Sequence, residues 1–221
     1  MRSADDRNIV MIQVVAFGTV NAGKSSLLSA LADQPGLFCE SEKPGKTDCI
    51  QTEEAYGIRF VDTPGLDCDY FDEKLAFTAA KKADVMMFCH NLRTGELKDT
   101  EIKALKEYHK IANIWNTCFV LTHEDALATR DITKQTANKL VEQLNSLFKL
   151  KFTVFGIPHQ HVNLSERKPR PLNIVGTDTY WHAKKKQGSK SEMLMRFSGI
   201  PKLREFLFRI RDTKGSITKK K

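Results

Sequence analysis

No run in the 221 residues stays apolar for longer than a β-strand needs, so no segment is long enough to cross a bilayer as a helix. The first eight residues, Met1 to Asn8, are polar and lack the apolar region of a secretion signal. None of the five cysteines (Cys39, Cys49, Cys68, Cys89, Cys118) stands in a C-x-x-C pair, and no zinc-ligand spacing occurs. His159 and His161 have no cysteine near them and read as a polar loop. These absences point away from a disulfide framework or a zinc module and toward reduced thiols in a cytoplasmic protein. No internal repeat is found. Acidic residues run short in only one region. Residues 166–221 hold 16 Lys and Arg against 5 Asp and Glu, whereas 1–165 hold 19 against 22. The net charge of +8 therefore belongs to the C-terminal quarter. Such a patch suits contact with RNA or an anionic membrane, and equally a solvated loop and tail.

What the sequence does have is concentrated in Gly18-Thr19-Val20-Asn21-Ala22-Gly23-Lys24-Ser25, which fits G-x-x-x-x-G-K-[ST]. Before it, Ile9 to Phe17 is nearly all apolar and reads as a strand buried on both faces. After it, Ser26 to Ala32 has apolar residues at helical spacing. The chemistry accounts for the residue types. Gly18 and Gly23 let the backbone curl so that Asn21, Ala22 and Gly23 turn N–H groups toward a polyphosphate. The helix N-terminus at Ser25 and Ser26 adds unpaired N–H groups. Lys24 brings a compact positive charge, and the Ser25 hydroxyl is suited to a magnesium ion bridging the phosphates.

The rest of the chain alternates. Residues 35–48 form a loop containing Pro44-Gly45-Lys46-Thr47-Asp48, in which Thr47 is a candidate second magnesium ligand. Cys49–Tyr56 and Ile58–Val61 read as a hairpin turning at Gly57, ending in Asp62-Thr63-Pro64-Gly65. Asp62 is suited to support magnesium, and Gly65 to bring its N–H close to a terminal phosphate. Helices are expected over 70–82, 100–112 (Ile102, Leu105 and Ile111 inward) and 131–150 (Leu140, Leu144, Leu147 and Phe148 inward). Strands are expected over 84–90, 117–121 and 152–157. The pattern breaks from 158 to about 197, read as a basic insertion containing Lys184-Lys185-Lys186. A helix over 198–212 follows, with Ser198 as its cap, then a disordered basic tail over 213–221. The alternation predicts an α/β, three-layer P-loop NTPase fold: a mostly parallel six-stranded sheet with helices on both faces.

Four motifs in order now carry a resemblance: Gly18 to Ser25, Pro44 to Asp48, Asp62 to Gly65, and Thr122-His123-Glu124-Asp125. The chain resembles the small GTPase (Ras-like G) domains of the translation-factor-related P-loop class, nearest to the Era/TrmE-like branch, over about 9–157 and 198–212. The resemblance implies Mg2+-dependent binding of GTP and GDP, slow hydrolysis, and a molecular switch whose loops at 36–50 and 65–80 meet a protein effector. It assigns Lys24 to the β- and γ-phosphates, Ser25 and Thr47 to magnesium, Asp62 to its support, Gly65 to the γ-phosphate, and Thr122, His123 and Asp125 to the base. Asp125 suits guanine because a carboxylate accepts from its amino and imino groups.

Three departures qualify these expectations. His123 stands where the family carries Lys. Leu66 stands where Ras-like members carry a water-orienting Gln. Gly156-Ile157-Pro158 replaces the family's Ser-Ala motif. Asn21 occupies the place of a potassium-ligating Asn in the Era/TrmE-like branch, which makes K+, a nucleotide-dependent homodimer or a partner the expected accelerator; an ordinary loop residue with an unusual backbone angle explains Asn21 as well. Asp67 or Asp69 is a candidate to orient the water. A broad-specificity P-loop NTPase and a non-hydrolysing nucleotide-binding scaffold that docks on RNA or membrane are the alternatives.

Overall fold

The computed structural model describes residues 11–34, 36–38, 50–67, 70–111, 117–123, 130–148, 153–154, 173–177 and 198–218. Strand β1 (Ile12–Phe17) leads through the glycine loop into α1 (Lys24–Leu31). Strands β2 (Gln51–Ala55) and β3 (Ile58–Asp62) pair antiparallel across a Tyr56–Gly57 turn with φ of 56° and 71°, the expected tight hairpin. Then come α2 (Tyr70–Lys81), β4 (Val85–Asn91), α3 (Asp99–Ile111), β5 (Thr117–Thr122), α4 (Arg130–Phe148), β6 (Thr153–Val154), β7 (Asn173–Thr177) and α5 (Ile200–Thr218).

The sheet runs β2-β3-β1-β4-β5-β7-β6, and every pair but the hairpin is parallel. It has seven strands rather than the expected six. The extra one, β7, lies inside the stretch read as an insertion and seats between β5 and β6. Five residues just after Pro169 and Pro171 and interrupted by Gly176 make a weak strand signal; parallel pairing to β5 on one side and β6 on the other makes it a strand.

Side chains alternate across the sheet with the two-residue period of a strand. On β4, Val85, Met87 and Cys89 face one cluster, with Leu27, Leu28 and Leu31 of α1 and Leu203 and Leu207 of α5. Met86 and Phe88 face the other, with Ala76 of α2, Leu105 and Tyr108 of α3, and Leu140 and Leu144 of α4. On β5, Cys118 and Val120 take the first face and Phe119 and Leu121 the second. Helices therefore lie on both faces, as expected. On α3 the inward stripe is Glu101, Ala104, Leu105 and Tyr108, while Ile111 is 45 % exposed, because the helix turns its last residue past the sheet.

Helix α5 runs to Thr218, so residues 213–218 are helical where a disordered tail was expected. Tertiary contacts account for this. Lys214 Nζ reaches both carboxylate oxygens of Asp84, at 2.7 and 2.8 Å, and Asp84 in turn accepts from Gln13 N–H at the start of β1. Arg211 donates to the Tyr56 carbonyl in the hairpin turn. Arg204 donates to the carbonyls of Ala30 (2.8 Å) and Leu31 (3.1 Å) at the end of α1, where Ala30 also accepts the Asp33 N–H at 3.2 Å. Arg204→Ala is expected to cost about 1.5–3 kcal/mol in urea unfolding, and Arg204→Lys to recover only part of it, since an ammonium lacks the planar fork. A loss below about 0.5 kcal/mol, the size of an ordinary surface change, would show that water serves those carbonyls as well. Among the described residues no helix is long and apolar enough to cross a membrane.

Candidate nucleotide site

The carboxyl ends of four adjacent parallel strands meet at one place: Gly18 follows β1, Asp62 ends β3, Asn91 ends β4 and Thr122 ends β5. Ligands in open α/β sheets bind at such an edge, where successive connections leave in opposite directions.

The glycine loop is fitted to its surroundings at two glycines. Gly18 has φ 156°, and a Cβ there would lie 2.4 Å from the carbonyl oxygen of Cys89 on β4. A Cβ on Gly65 would fall 2.3 Å from Val20 Cγ2 and 2.7 Å from Val20 N, so the Asp62–Gly65 segment lies flush on the loop. Lys24, 7 % exposed, opens α1 and sends its ammonium back to the carbonyls of Gly18 (3.2 Å) and Thr19 (2.8 Å). Beside it on the first turn stand Ser25 and Ser26, both half-buried. Asn21, exposed and at φ 58°, gives its carbonyl to Asn91 Nδ2 at 3.2 Å.

Ser25 Oγ donates to Asp62 Oδ2 at 2.5 Å. The other carboxylate oxygen, Asp62 Oδ1, is buried and has no hydrogen-bond partner among the described residues. Burial pushes the Asp62 carboxyl up from its ordinary value, while the Ser25 hydrogen bond and the Lys24 charge pull it back. A hydroxyl beside a carboxylate with an unused oxygen is a donor set that fits a hard divalent cation such as Mg2+. Thr63 locks the segment by donating to the Ala16 carbonyl at 2.7 Å.

Thr122 braces the loop from the other side. Its hydroxyl lies 2.8 Å from the Ala22 carbonyl and 3.2 Å from the His90 carbonyl. His123, at φ 58°, sets Nδ1 3.0 Å from the Thr122 hydroxyl, and its Cε1 approaches Gly23. The structure thus brings together Asn21, Ala22, Gly23, Lys24, Ser25, Ser26, Asp62, Gly65, Thr122 and His123. Thr47, Asp69, Asp125 and the 156–158 segment lie outside the described residues.

Sequence reasoning did not single out Asn91 or the pair beneath it. His90, 1 % exposed, has Nδ1 2.9 Å from Glu101 Oε1 and Nε2 2.8 Å from the Gly95 carbonyl. Glu101 Oε2 also accepts from Lys98 N–H at 2.9 Å, the reach-back bond of a capping box. The sign that was available is the Glu at the third position of α3. Behind Gly18, burial pushes the Cys89 thiol up to about 12 and the Cys118 thiol up as well, so both are kept as thiols.

The family model described as "50S ribosome-binding GTPase" matches residues 13–123. An uncharacterised protein of Acinetobacter baylyi is 31 % identical over 139 residues, which are 61 % of this chain and 33 % of that one. The probable GTP-binding protein EngB of Serratia proteamaculans is 49 % identical over 55 residues, 24 % of this chain and 26 % of EngB. The chain thus spans about a quarter to a third of the length of these relatives. Among solved structures, Toc33 of Arabidopsis thaliana in complex with GDP and Mg2+ superposes with a TM-score of 0.61 at 17 % identity, over 92 % of this chain and 85 % of that one. Era in complex with MgGDPNP and nucleotides of 16S ribosomal RNA superposes with a TM-score of 0.59 at 17 % identity, over 91 % and 57 %. At that identity the likeness establishes the fold.

Proposed function

Because this chain belongs to the 50S ribosome-binding GTPase family, P-loop proteins of the translation-factor-related class, we propose that it binds GTP and GDP with Mg2+ and hydrolyses GTP to GDP and phosphate. The observation that carries this reading is the Ser25 hydroxyl on Asp62, with the second carboxylate oxygen buried and without a partner among the described residues, beside the glycine loop. Lys24, now on the Gly18 and Thr19 carbonyls, turns its charge to the β- and γ-phosphates. Ser25 and Thr47 hold Mg2+ and Asp62 supports it; the ion neutralises phosphate charge and orients the leaving oxygen. Gly65 presents its N–H to the γ-phosphate. Thr122, His123 and Asp125 form the base pocket, with Asp125 accepting from guanine.

Hydrolysis is slow without a partner, dimer or K+. Leu66, where a water-orienting side chain would stand, is 7 % exposed and packed in the core, and its N–H goes to the Gly18 carbonyl. Asn21, exposed at the loop's crest, is placed to take up K+. The nucleotide state acts as a switch read by a protein effector. A nucleotide-dependent homodimer and contact with RNA or an anionic membrane through the basic C-terminal part complete the proposal. Arg204, Arg211 and Lys214 serve internal contacts, which leaves the outward contact to the other cations.

The test is thermal unfolding with GDP, GTP, ADP and ATP in Mg2+, then phosphate release in Na+ against K+. Ligand at a hundred times its Kd adds about 2.7 kcal/mol, an easily measured shift. Stabilisation by guanine nucleotides alone supports the reading, and equal shifts with adenine nucleotides replace it with a broad-specificity NTPase. Asp62→Asn is expected to raise the melting temperature of the nucleotide-free chain, because it removes a buried charge, and to abolish the extra stabilisation that Mg2+ gives over nucleotide alone. Retention of that Mg2+ increment would remove Asp62 from the ion's support.

A further inference from the structure

The glycine loop is already in contact with an anion, and that anion belongs to the chain itself. Asp67, exposed and five residues beyond Asp62, accepts the N–H of Val20 through Oδ1 at 2.5 Å, across 47 positions of sequence. Val20 is the third residue of the loop, and the space in front of its nitrogen is so narrow that only a glycine fits at position 65. Next to this bond, Leu66 N–H donates to the Gly18 carbonyl at 3.2 Å. Two hydrogen bonds of opposite direction therefore draw the second loop down onto the first. One is an ordinary backbone contact. In the other, a carboxylate oxygen takes a backbone N–H of a phosphate loop, the type of contact a phosphate oxygen makes there.

We propose that Asp67 is a specificity-determining residue that stands in for the terminal phosphate: it occupies the loop while the third phosphate is absent and must be displaced when a nucleoside triphosphate binds. This rests on the guanine-nucleotide reading given above. Two anions compete for one edge of the loop, and each repels the other. A diphosphate ends short of that edge and leaves Asp67 in place. A triphosphate reaches it, and part of its binding is spent on moving the carboxylate out. The residue thereby tilts the site toward GDP, and its release couples arrival of the third phosphate to movement of the loop leading into α2.

The experiment measures affinity for GDP and for a non-hydrolysable GTP analogue, in Mg2+ buffer, on the full chain and on Asp67→Asn and Asp67→Ala. Both variants change an exposed side chain, and a melting curve checks that each folds. Both should bind the analogue about 5–10-fold more tightly while GDP affinity stays within about twofold, the equivalent of roughly one hydrogen bond. An equal change for the two nucleotides overturns the proposal and leaves the GTPase reading standing. Weaker analogue binding also overturns it, since Asp67 would then be an aid to the triphosphate. A slower turnover with the affinity ratio unchanged overturns it in favour of a water-orienting role. If the unaltered chain binds neither nucleotide, the GTPase reading falls, and this proposal with it.

Discussion

Lys24→Ala is expected to weaken GDP and GTP binding by between about 30-fold and a few thousand-fold. The range follows from the 2–5 kcal/mol lost when one partner of a buried, hydrogen-bonded charge pair is truncated. The ammonium has two duties in the structure. It ties the carbonyls of Gly18 and Thr19, which shapes the loop, and it lowers the cost of ionising Asp62. Truncation takes one hydrogen bond from each carbonyl, leaving Gly18 the Leu66 N–H and Thr19 the Ala22 N–H, and takes away the charge that would meet the phosphates. Lys24→Arg should also bind poorly, because the guanidinium is a wide fork where the pocket holds a compact charge, 7 % exposed. Calorimetric titration with GDP decides it. Affinity within threefold of the unaltered chain would mean that the loop binds by backbone N–H groups alone.

Glu101→Ala should lower the unfolding free energy by about 2–5 kcal/mol, because two buried polar groups lose their partner, a large share of the 5–15 kcal/mol that holds a domain together. His90 Nδ1 lies 2.9 Å from Glu101 Oε1 and Nε2 2.8 Å from the Gly95 carbonyl, so each ring nitrogen has one polar partner in the core. Removing the Glu101 side chain leaves His90 Nδ1 without its partner at 1 % exposure and takes the acceptor from Lys98 N–H. Replacing both residues by leucine should recover much of the loss, since a buried pair is expensive to break and far less so to replace. Equal losses in the single and double variants would place the cost elsewhere, in the cap of α3. The damage should reach nucleotide binding too, because the His90 carbonyl lies within reach of the Thr122 hydroxyl.

How much of this was legible in the sequence depended on how local each feature is. The loop, its flanking strand and helix, the hairpin and the alternation of β4 and β5 are written in runs of a few residues, and the structure has them. Lys24, Ser25 and Ser26 could be placed because the loop's own spacing places them, and Asp62 because a strand delivers it. Contacts set by tertiary placement were not legible. Nothing near Asp67 says that its carboxylate lands on Val20, and nothing near Arg204 says that it closes α1. β7 was hidden for the same reason: five residues just after two prolines become a strand only when β5 and β6 flank them. Ile111 was misplaced because helical spacing gives a direction but not how far the sheet extends beneath it.

The braces of the loop also differ in how late they come. Ser25 waits 37 positions for Asp62, Val20 waits 47 for Asp67, Asn21 waits 70 for Asn91, and Ala22 waits 100 for Thr122. During synthesis at about 5–20 residues per second, some 5–20 s separate the making of the phosphate loop from the making of Thr122, the latest of these four braces. The loop that meets the nucleotide is translated well before the β5 residue that braces it from the other side. A growing chain therefore passes through a period in which it has a complete glycine loop and no complete site. Nucleotide capture becomes a late event, one that reports that β5 has docked.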